Sequence, residues 1–549
     1  MLKVMRYTVA MENPDRVTYF GATDARGKNT PFGIKAKDRT RHMYVIGKTG
    51  MGKSTLLENL AIQDIVNGEG LAFIDPHGQS AEALLDYIPA HRKDDVVYFA
   101  PFDLEHPIAF NVMEDVGYDK RHLVVSGLMS TFKKIWVDAW SARMEYILSN
   151  TLLALLEYPD ATLLGVNRMY VDKEYRAKVV ENISDPVVKD FWTLEFANYT
   201  DRFTQEATPA IQNKVGQFTS NPVIRNIIGQ PKSSFDIREI MDKKKILIVN
   251  LSKGQVGDTN ANLLGSMITT RIYLAAMSRA DLRERELAKL PNFYFYVDEF
   301  QNFANETFAE ILSEARKYKL NLIIAHQYIE QMEEEVKDAV FGNVGTTVAF
   351  RVGPFDAEVL ETVFAPKFTK EDLVNLGRFQ IYLSLMIDGV GSKPFSATTI
   401  PRIEPPPVSL HDEVVAASQR KYGVNRKKVE EYIWSSISKD QPAGKAMAKE
   451  REAASRKEQR NTPQQKPKKK VEERRGDAPK KKESSLEDLR ATLRRVAGDP
   501  PKKEVKEHTA LKEALKKVAP AAGVRQRGKD SPEEVPEDIL KRILKDDPK

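Results

Sequence analysis

Apolar residues along the chain fall into short unbroken runs, separated by stretches in which they recur every three or four positions. The runs are HMYVIG (42–47), LAFIDP (71–76), VVYFAP (96–101), KILIVNLS (245–252), FYFYVDEF (293–300), LNLIIAHQ (320–327), TTVAFRVG (346–353) and QIYLSLMID (380–388). Several lack the polar alternation of a half-exposed strand, which predicts parallel strands covered on both faces. Segments such as TLLENLAIQDIVNG, ANLLGSMITTRIYLAAMSRA and NETFAEILSEARKY lie between them with helical spacing. Strands alternating with helices predict an α/β fold with a mainly parallel sheet. Residues 1–40 are polar, with strand-like patches such as RVTYFGA.

Between about 115 and 235 the strand runs stop. LVVSGLMSTFKKIW, ARMEYILSNTLLALLEY and PAIQNKVGQFTS carry apolar positions at helical spacing, which predicts an all-helical insertion. The chain therefore divides into 1–114 and 236–407, two parts of one α/β domain, with the insertion at 115–235 between them. A short helical extension follows at 408–437, where VSLHDEVVAASQRKYG and NRKKVEEYIWSSIS each begin near a capping residue and Gly423 ends the first. Residues 438–549 form a charged tail. Its KPKKKVEERRGDAPKKKESS stretch is too polar to bury a core and predicts a disordered linker, while SLEDLRATLRRVA, TALKEALKKVA and PEDILKRILK predict short amphipathic helices that form on binding.

Charge and composition narrow the class. The formal net charge of +6 resides in the tail, residues 1–440 being mildly acidic. No apolar run approaches the ~20 residues that span a bilayer, and MLKVMRYTVAMENPDR turns charged too early for a secretory signal. The expectation is a cytoplasmic chain without a transmembrane segment. With 0 Cys there is no disulfide or thiolate metal site, and none of the 8 His falls in an HExxH-type pair, so a metal should arrive with a substrate.

The strongest local signal is GKTGMGKS at 47–54, a GxxxxGKS loop between an apolar strand and the helical STLLENLAIQ. Backbone N–H groups of such a loop surround phosphate oxygens, and Gly50 and Gly52 keep side chains out of the way. The candidate nucleotide-binding residues are Gly47, Lys48, Thr49, Gly50, Met51, Gly52, Lys53, Ser54 and Thr55. Lys53 is expected to contact the β and γ phosphates of ATP, and Ser54 to offer its hydroxyl to Mg2+. FYFYVDEF delivers Asp298 and Glu299 at a strand end, where ligands bind in open α/β sheets. Asp298 is the second candidate Mg2+ residue, through the ion's water shell, and Glu299 the candidate general base. Gln327 ends LNLIIAHQ on the same edge if that strand neighbours FYFYV, where it can sense the γ-phosphate or orient water. Arg316 and Arg351 are candidates for an arginine supplied to a neighbouring subunit. Asp75 and His77 in IDPHG end another strand, and for His77 a loop-shaping role fits better than metal ligation because partner ligands are missing.

Together these residues resemble the FtsK/HerA superfamily of ring-forming P-loop ATPases, and most specifically the cytosolic domain of conjugative type IV secretion coupling proteins of the TraD/TraG kind. HMYVIGKTGMGKST, FIDPHG, PIAFNV, SARMEYILSNTLLALLE, KILIVNLSKG, VDEFQNF, SEARKYKLNLIIAHQ and AFRVG occur in that family's order over about residues 20–400. The resemblance implies a RecA-like core with an all-helical insertion, a homohexamer around a DNA channel, and ATP between subunits. It places Lys53 and Ser54 in Walker A, Asp298 and Glu299 in Walker B, Gln327 as the sensor and Arg316 as the trans-acting arginine. Most coupling proteins begin with transmembrane helices, whereas this sequence starts almost directly at the ATPase domain, so anchoring by its own helices is not expected and peripheral placement at the inner face of the membrane would require a separate membrane protein to recruit it.

Three functions are then in view. The first is a DNA-translocating ring motor of conjugative or type IV secretion transfer, whose tail binds a relaxase or secretion-channel proteins. A second keeps the ATPase but changes the task, as a HerA-like DNA-processing or pilus-assembly ATPase. The third is a nucleotide-regulated adaptor that recruits partners through the tail.

Overall fold

The computed structural model describes residues 13–24, 29–136, 140–304 and 306–438. Its strands are β1 (Val17–Thr23), β2 (Pro31–Lys35), β3 (Met43–Ile46), β4 (Gly70–Asp75), β5 (Val96–Phe99), β6 (Ile246–Asn250), β7 (Phe293–Val297), β8 (Leu320–His326), β9 (Thr346–Ala349), β10 (Gln380–Ser384), β11 (Met386–Ile387), β12 (Val390–Gly391) and β13 (Phe395–Thr399). All but β11 and β12 join one 11-stranded sheet in the order β2-β1-β13-β10-β9-β3-β8-β7-β4-β6-β5. The stretch from β9 to β5 is parallel throughout. Beyond β9 the sheet continues antiparallel through β10, β13, β1 and β2. This is a RecA-like P-loop core with a mainly parallel sheet.

Each of the eight apolar runs becomes a strand, and the reason is visible in the packing. Successive residues of a strand point to opposite faces. Tyr44, Ile46, Phe293, Phe295 and Val297 face one apolar cluster, built with the insertion and the later helices. Met43, Val45, Tyr294 and Tyr296 face the other, against Leu56, Leu57 and Leu60 of the helix Lys53–Val66. A strand covered on both faces has no polar side to alternate with. By contrast β2 and β13, PFGIK and FSATT, are only partly buried and carry no apolar run.

Between β5 and β6 the described residues form helices and no strand. Side-chain caps set several of their starts: Ser141 accepts from the Met144 N–H, Asp172 from Tyr175, Asn221 from Val223 and Asp236 from Glu239. Helix Arg121–Ile135 packs against helix Asp258–Met277 of the core so closely that a Cβ on Gly127 would stand 2.4 Å from Thr270 Cγ2. Helix His411–Tyr422 covers the β5 edge, where Ser418 Oγ accepts the Tyr98 N–H at 2.9 Å. Helix Arg426–Ser438 lies on helix Pro222–Ile228, with Arg225 over the Trp434 ring.

One buried ion pair braces the P-loop layer. Arg39 donates to both carboxylate oxygens of Asp64, at 2.6 and 2.8 Å, and to the Tyr296 hydroxyl at 2.7 Å. Asp64 belongs to helix Lys53–Val66, so the chain before β3 is fixed to the helix after it. The predicted linker and amphipathic segments of the tail lie outside the described residues. Among the described residues no helix is long and apolar enough to cross a membrane.

Candidate active site

The P-loop leaves β3 at the sheet's C-terminal edge, and its course is fixed by both neighbouring strands. Gly47 N–H donates to His326 O at the end of β8, and Lys48 N–H to Arg351 O just past β9. Arg351 thus meets the loop through its carbonyl. Gly50 and Gly52 take φ of +76° and +122°, a region that L side chains avoid. At Gly52 space forbids one too, since a Cβ would lie 2.8 Å from Phe379 Cδ1. The N–H groups of Gly50, Gly52, Lys53, Ser54 and Thr55 make no hydrogen bond within the described chain. They are the free donors of a glycine-rich turn and a helix start, the arrangement that phosphate oxygens satisfy.

Asp298 and Glu299 follow β7, which lies between β8 and β4. The Ser54 hydroxyl donates to Asp298 Oδ2 at 2.8 Å, while Asp298 Oδ1 accepts the Glu299 N–H at 2.9 Å. A hydroxyl and a carboxylate side by side next to free N–H groups fit a hard cation carried by a phosphate. Asp298 is only 3% exposed. Burial pushes its carboxyl up to about 6, helped by the Glu299 and Asp75 charges and opposed by the Ser54 hydrogen bond and Lys53. Lys53 donates to Gly47 O at 2.7 Å and stands 4.0 Å from Glu299 Oε1. Burial lowers the Lys53 ammonium, against the pull of Glu299 and Asp298.

Glu299 sits in the left-handed region, at φ +49°. Gln327 donates its amide to Glu299 Oε1 and accepts the Thr49 hydroxyl at 2.9 Å. Gln301 donates to the other oxygen, Oε2, at 2.8 Å. The P-loop, the β8 terminus and the turn after β7 are therefore joined through one carboxylate. Gln327 reaches it because β8 is inserted between β3 and β7.

Asp75 has a different task. Its oxygens accept the N–H groups of His77, Ser80 and Ala81, so it shapes the loop after β4. His77 lines the same cavity as the P-loop, about 540 Å³ in volume. Arg378, Phe379 and Arg402 line it too, and sequence reasoning missed all three. Phe379, at φ +66°, donates its N–H to Met51 O at 3.1 Å, and Arg402 pairs with Glu58 at 3.0 Å. Arg316 is not in this site. It is exposed in the turn Ala315–Tyr318 before β8, at the end of the strand opposite Gln327, about 20 Å away at ~3.3 Å per residue.

Fold and site together define a P-loop α/β domain in which an additional strand separates the phosphate-loop strand from the one carrying the paired acids. The family model of the type IV secretion-system coupling protein DNA-binding domain matches residues 30–363, and the chain belongs to that family. Among solved structures it is similar to the bacterial conjugative coupling protein TrwBdeltaN70, unbound monoclinic form, at 14% identity and TM-score 0.49, covering 70% of this chain and 89% of that one. Plasmid coupling protein TrwB in complex with ADP and Mg2+ gives 14% and 0.49, with coverage of 70% and 90%. VirB4 of Thermoanaerobacter pseudethanolicus gives 16% and 0.48, with coverage of 70% and 97%. No curated protein matches the chain.

Proposed function

We propose that this chain is an ATP-hydrolysing motor that assembles as a ring, hexameric in the reading above, and translocates DNA in conjugative or type IV secretion transfer. Membership of the coupling-protein family supports the biological setting. The observation that carries the chemistry is the 2.8 Å bond from Ser54 to Asp298, with Glu299 next in the chain and 4.0 Å from Lys53. Residues of the two motifs, far apart in sequence, meet at one sheet edge where free N–H groups converge.

In this reading Gly47 to Thr55 wrap the triphosphate and Lys53 turns from the Gly47 carbonyl to the β and γ oxygens. Mg2+, when bound with ATP, supplies positive charge to the phosphates next to Ser54 and Asp298. Glu299 takes the proton of the attacking water, and Gln327, bonded to both Thr49 and Glu299, links that carboxylate to the loop facing the γ-phosphate. Arg316 lies too far away to serve its own chain's site, which supports a role at a neighbouring subunit's nucleotide. The division into core, insertion, extension and tail remains part of the proposal, as does capture of a relaxase or channel protein by the tail.

The test is Glu299→Gln in the full chain. Such a change is expected to keep ATP binding and lower turnover by ~10²–10⁴, the usual contribution of a general base. ATPase is measured with and without single- and double-stranded DNA. Turnover that neither DNA form alters, in a confirmed ring, would reject DNA translocation. Unimpaired plasmid transfer by the variant would favour the adaptor reading.

A further inference from the structure

We propose that Lys134, in helix Arg121–Ile135 of the insertion, is a positioning residue for Glu299, through which the insertion sets the geometry of the hydrolytic site. The inference rests on the reading of Glu299 as the general base. Lys134 Nζ donates to the Gln301 carbonyl at 2.6 Å and to the Ala304 carbonyl. The first acceptor lies within the 3-10 turn Phe300–Asn302, which begins directly after Glu299, and the second lies two residues beyond it.

That turn needs an external hold. Glu299 opens it at φ +49°, a left-handed conformation that a non-glycine residue adopts only at a cost in strain. Its carbonyl accepts the Asn302 side-chain amide at 2.8 Å, and its carboxylate accepts the Gln301 amide. Lys253 Nζ donates to Asn302 Oδ1 at 2.9 Å, fixing the turn from the core side. Lys134 fixes it from the insertion side, by the backbone of the same Gln301 whose side chain grips the carboxylate.

The helix does not need this lysine for its own packing. Val124, Val125, Leu128, Met129 and Phe132 supply its buried face. Among the described residues no carboxylate pairs with Lys134, so its charge is directed at carbonyls. Burial brings the ammonium down to about 8, with the Glu333 charge opposing. A cation is thus held in a partly buried position, where its donors are matched only by the backbone after Glu299. Any displacement of helix Arg121–Ile135 relative to β7 is transmitted to the carboxylate through two consecutive hydrogen bonds.

The experiment measures MgATP turnover of full-length wild type, Lys134→Met and Lys134→Arg, with and without DNA, beside thermal melting. The methionine variant keeps the apolar stem. It is expected to lose about tenfold in kcat, the scale of a sub-ångström misplacement, with KM within twofold of wild type and the melting transition retained. Lys134→Arg, which keeps a donor, should recover most of the loss. Gln301→Ala, which keeps the backbone carbonyl but removes the donor to Glu299 Oε2, should give the same kcat-only loss, and the Lys134→Met/Gln301→Ala double variant no more than either alone. If Lys134→Met fails to fold, Lys134→Gln, which keeps a stem and a neutral donor too short to span both carbonyls, takes its place in the same comparison. Wild-type kcat in Lys134→Met or Gln301→Ala, or a loss that appears equally in KM, overturns the inference. A wild type that never hydrolyses ATP instead rejects the function on which it rests.

Discussion

Asp298→Asn should make the nucleotide-free protein more stable at pH 8 while removing its ability to use Mg2+. In the folded chain the Asp298 carboxyl is raised from 3.8 to about 6, chiefly by burial. A shift of about two pKa units corresponds to roughly 3 kcal/mol. The sign follows from which form the fold disfavours. Below about pH 4 the acid is protonated in both states and costs nothing; as pH rises from about 4 to about 6 the unfolded chain ionises first and stability drains away; above that the loss is complete. Asparagine has no such titration. It also fits the local bonds: its oxygen can accept the Glu299 N–H as Oδ1 does now, and its amide can donate to the Ser54 hydroxyl, which reverses direction. With about 1 kcal/mol set against imperfect rematching, a net gain of roughly 1–2 kcal/mol is expected at pH 8. The measurement is the urea midpoint of both proteins in EDTA at pH 4 and pH 8. A variant less stable than wild type at pH 8, or a difference that does not grow between the two pH values, would refute the argument. Added MgATP should then stabilise wild type and leave the variant almost unmoved.

Other consequences are more direct. Lys53→Ala should abolish ATP binding by calorimetry while the urea midpoint stays within about 1 kcal/mol of wild type, because loss of the bond to the Gly47 carbonyl and of the 4.0 Å approach to Glu299 is offset by removing a charge that burial disfavours. Asp64→Asn leaves the buried Arg39 guanidinium without its carboxylate and should cost roughly 3–5 kcal/mol in urea unfolding, with residual ATPase per folded molecule unchanged.

The parallel strands were legible because they are buried on both faces, so that FYFYV or LNLIIAH reads as one apolar word. The antiparallel edge was legible only in part. β1 shows a patch, but FSATT of β13 is held by pairing with its neighbours and not by hydrophobicity. At the site, the P-loop and the acids announce themselves because their chemistry requires fixed residues at fixed spacing. Arg378, Phe379 and Arg402 left no such mark, since each reaches the cavity from a connection after β9 whose path depends on the whole sheet. Lys134 is a similar case: within LMSTFKKIW it looks like either of two solvated lysines, and only tertiary packing separates it from Lys133, which pairs with Glu145.

Synthesis runs along this topology in an awkward order. The phosphate loop's strand emerges from the ribosome early, yet β8, which flanks it, lies some 280 residues downstream. At roughly 5–20 residues per second the strand waits for about a quarter of a minute to a minute, and possession of a finished P-loop comes only after the insertion has been made. A truncated transcript ending anywhere before β8 would therefore yield a chain with the nucleotide motif written in it and no pocket to express it.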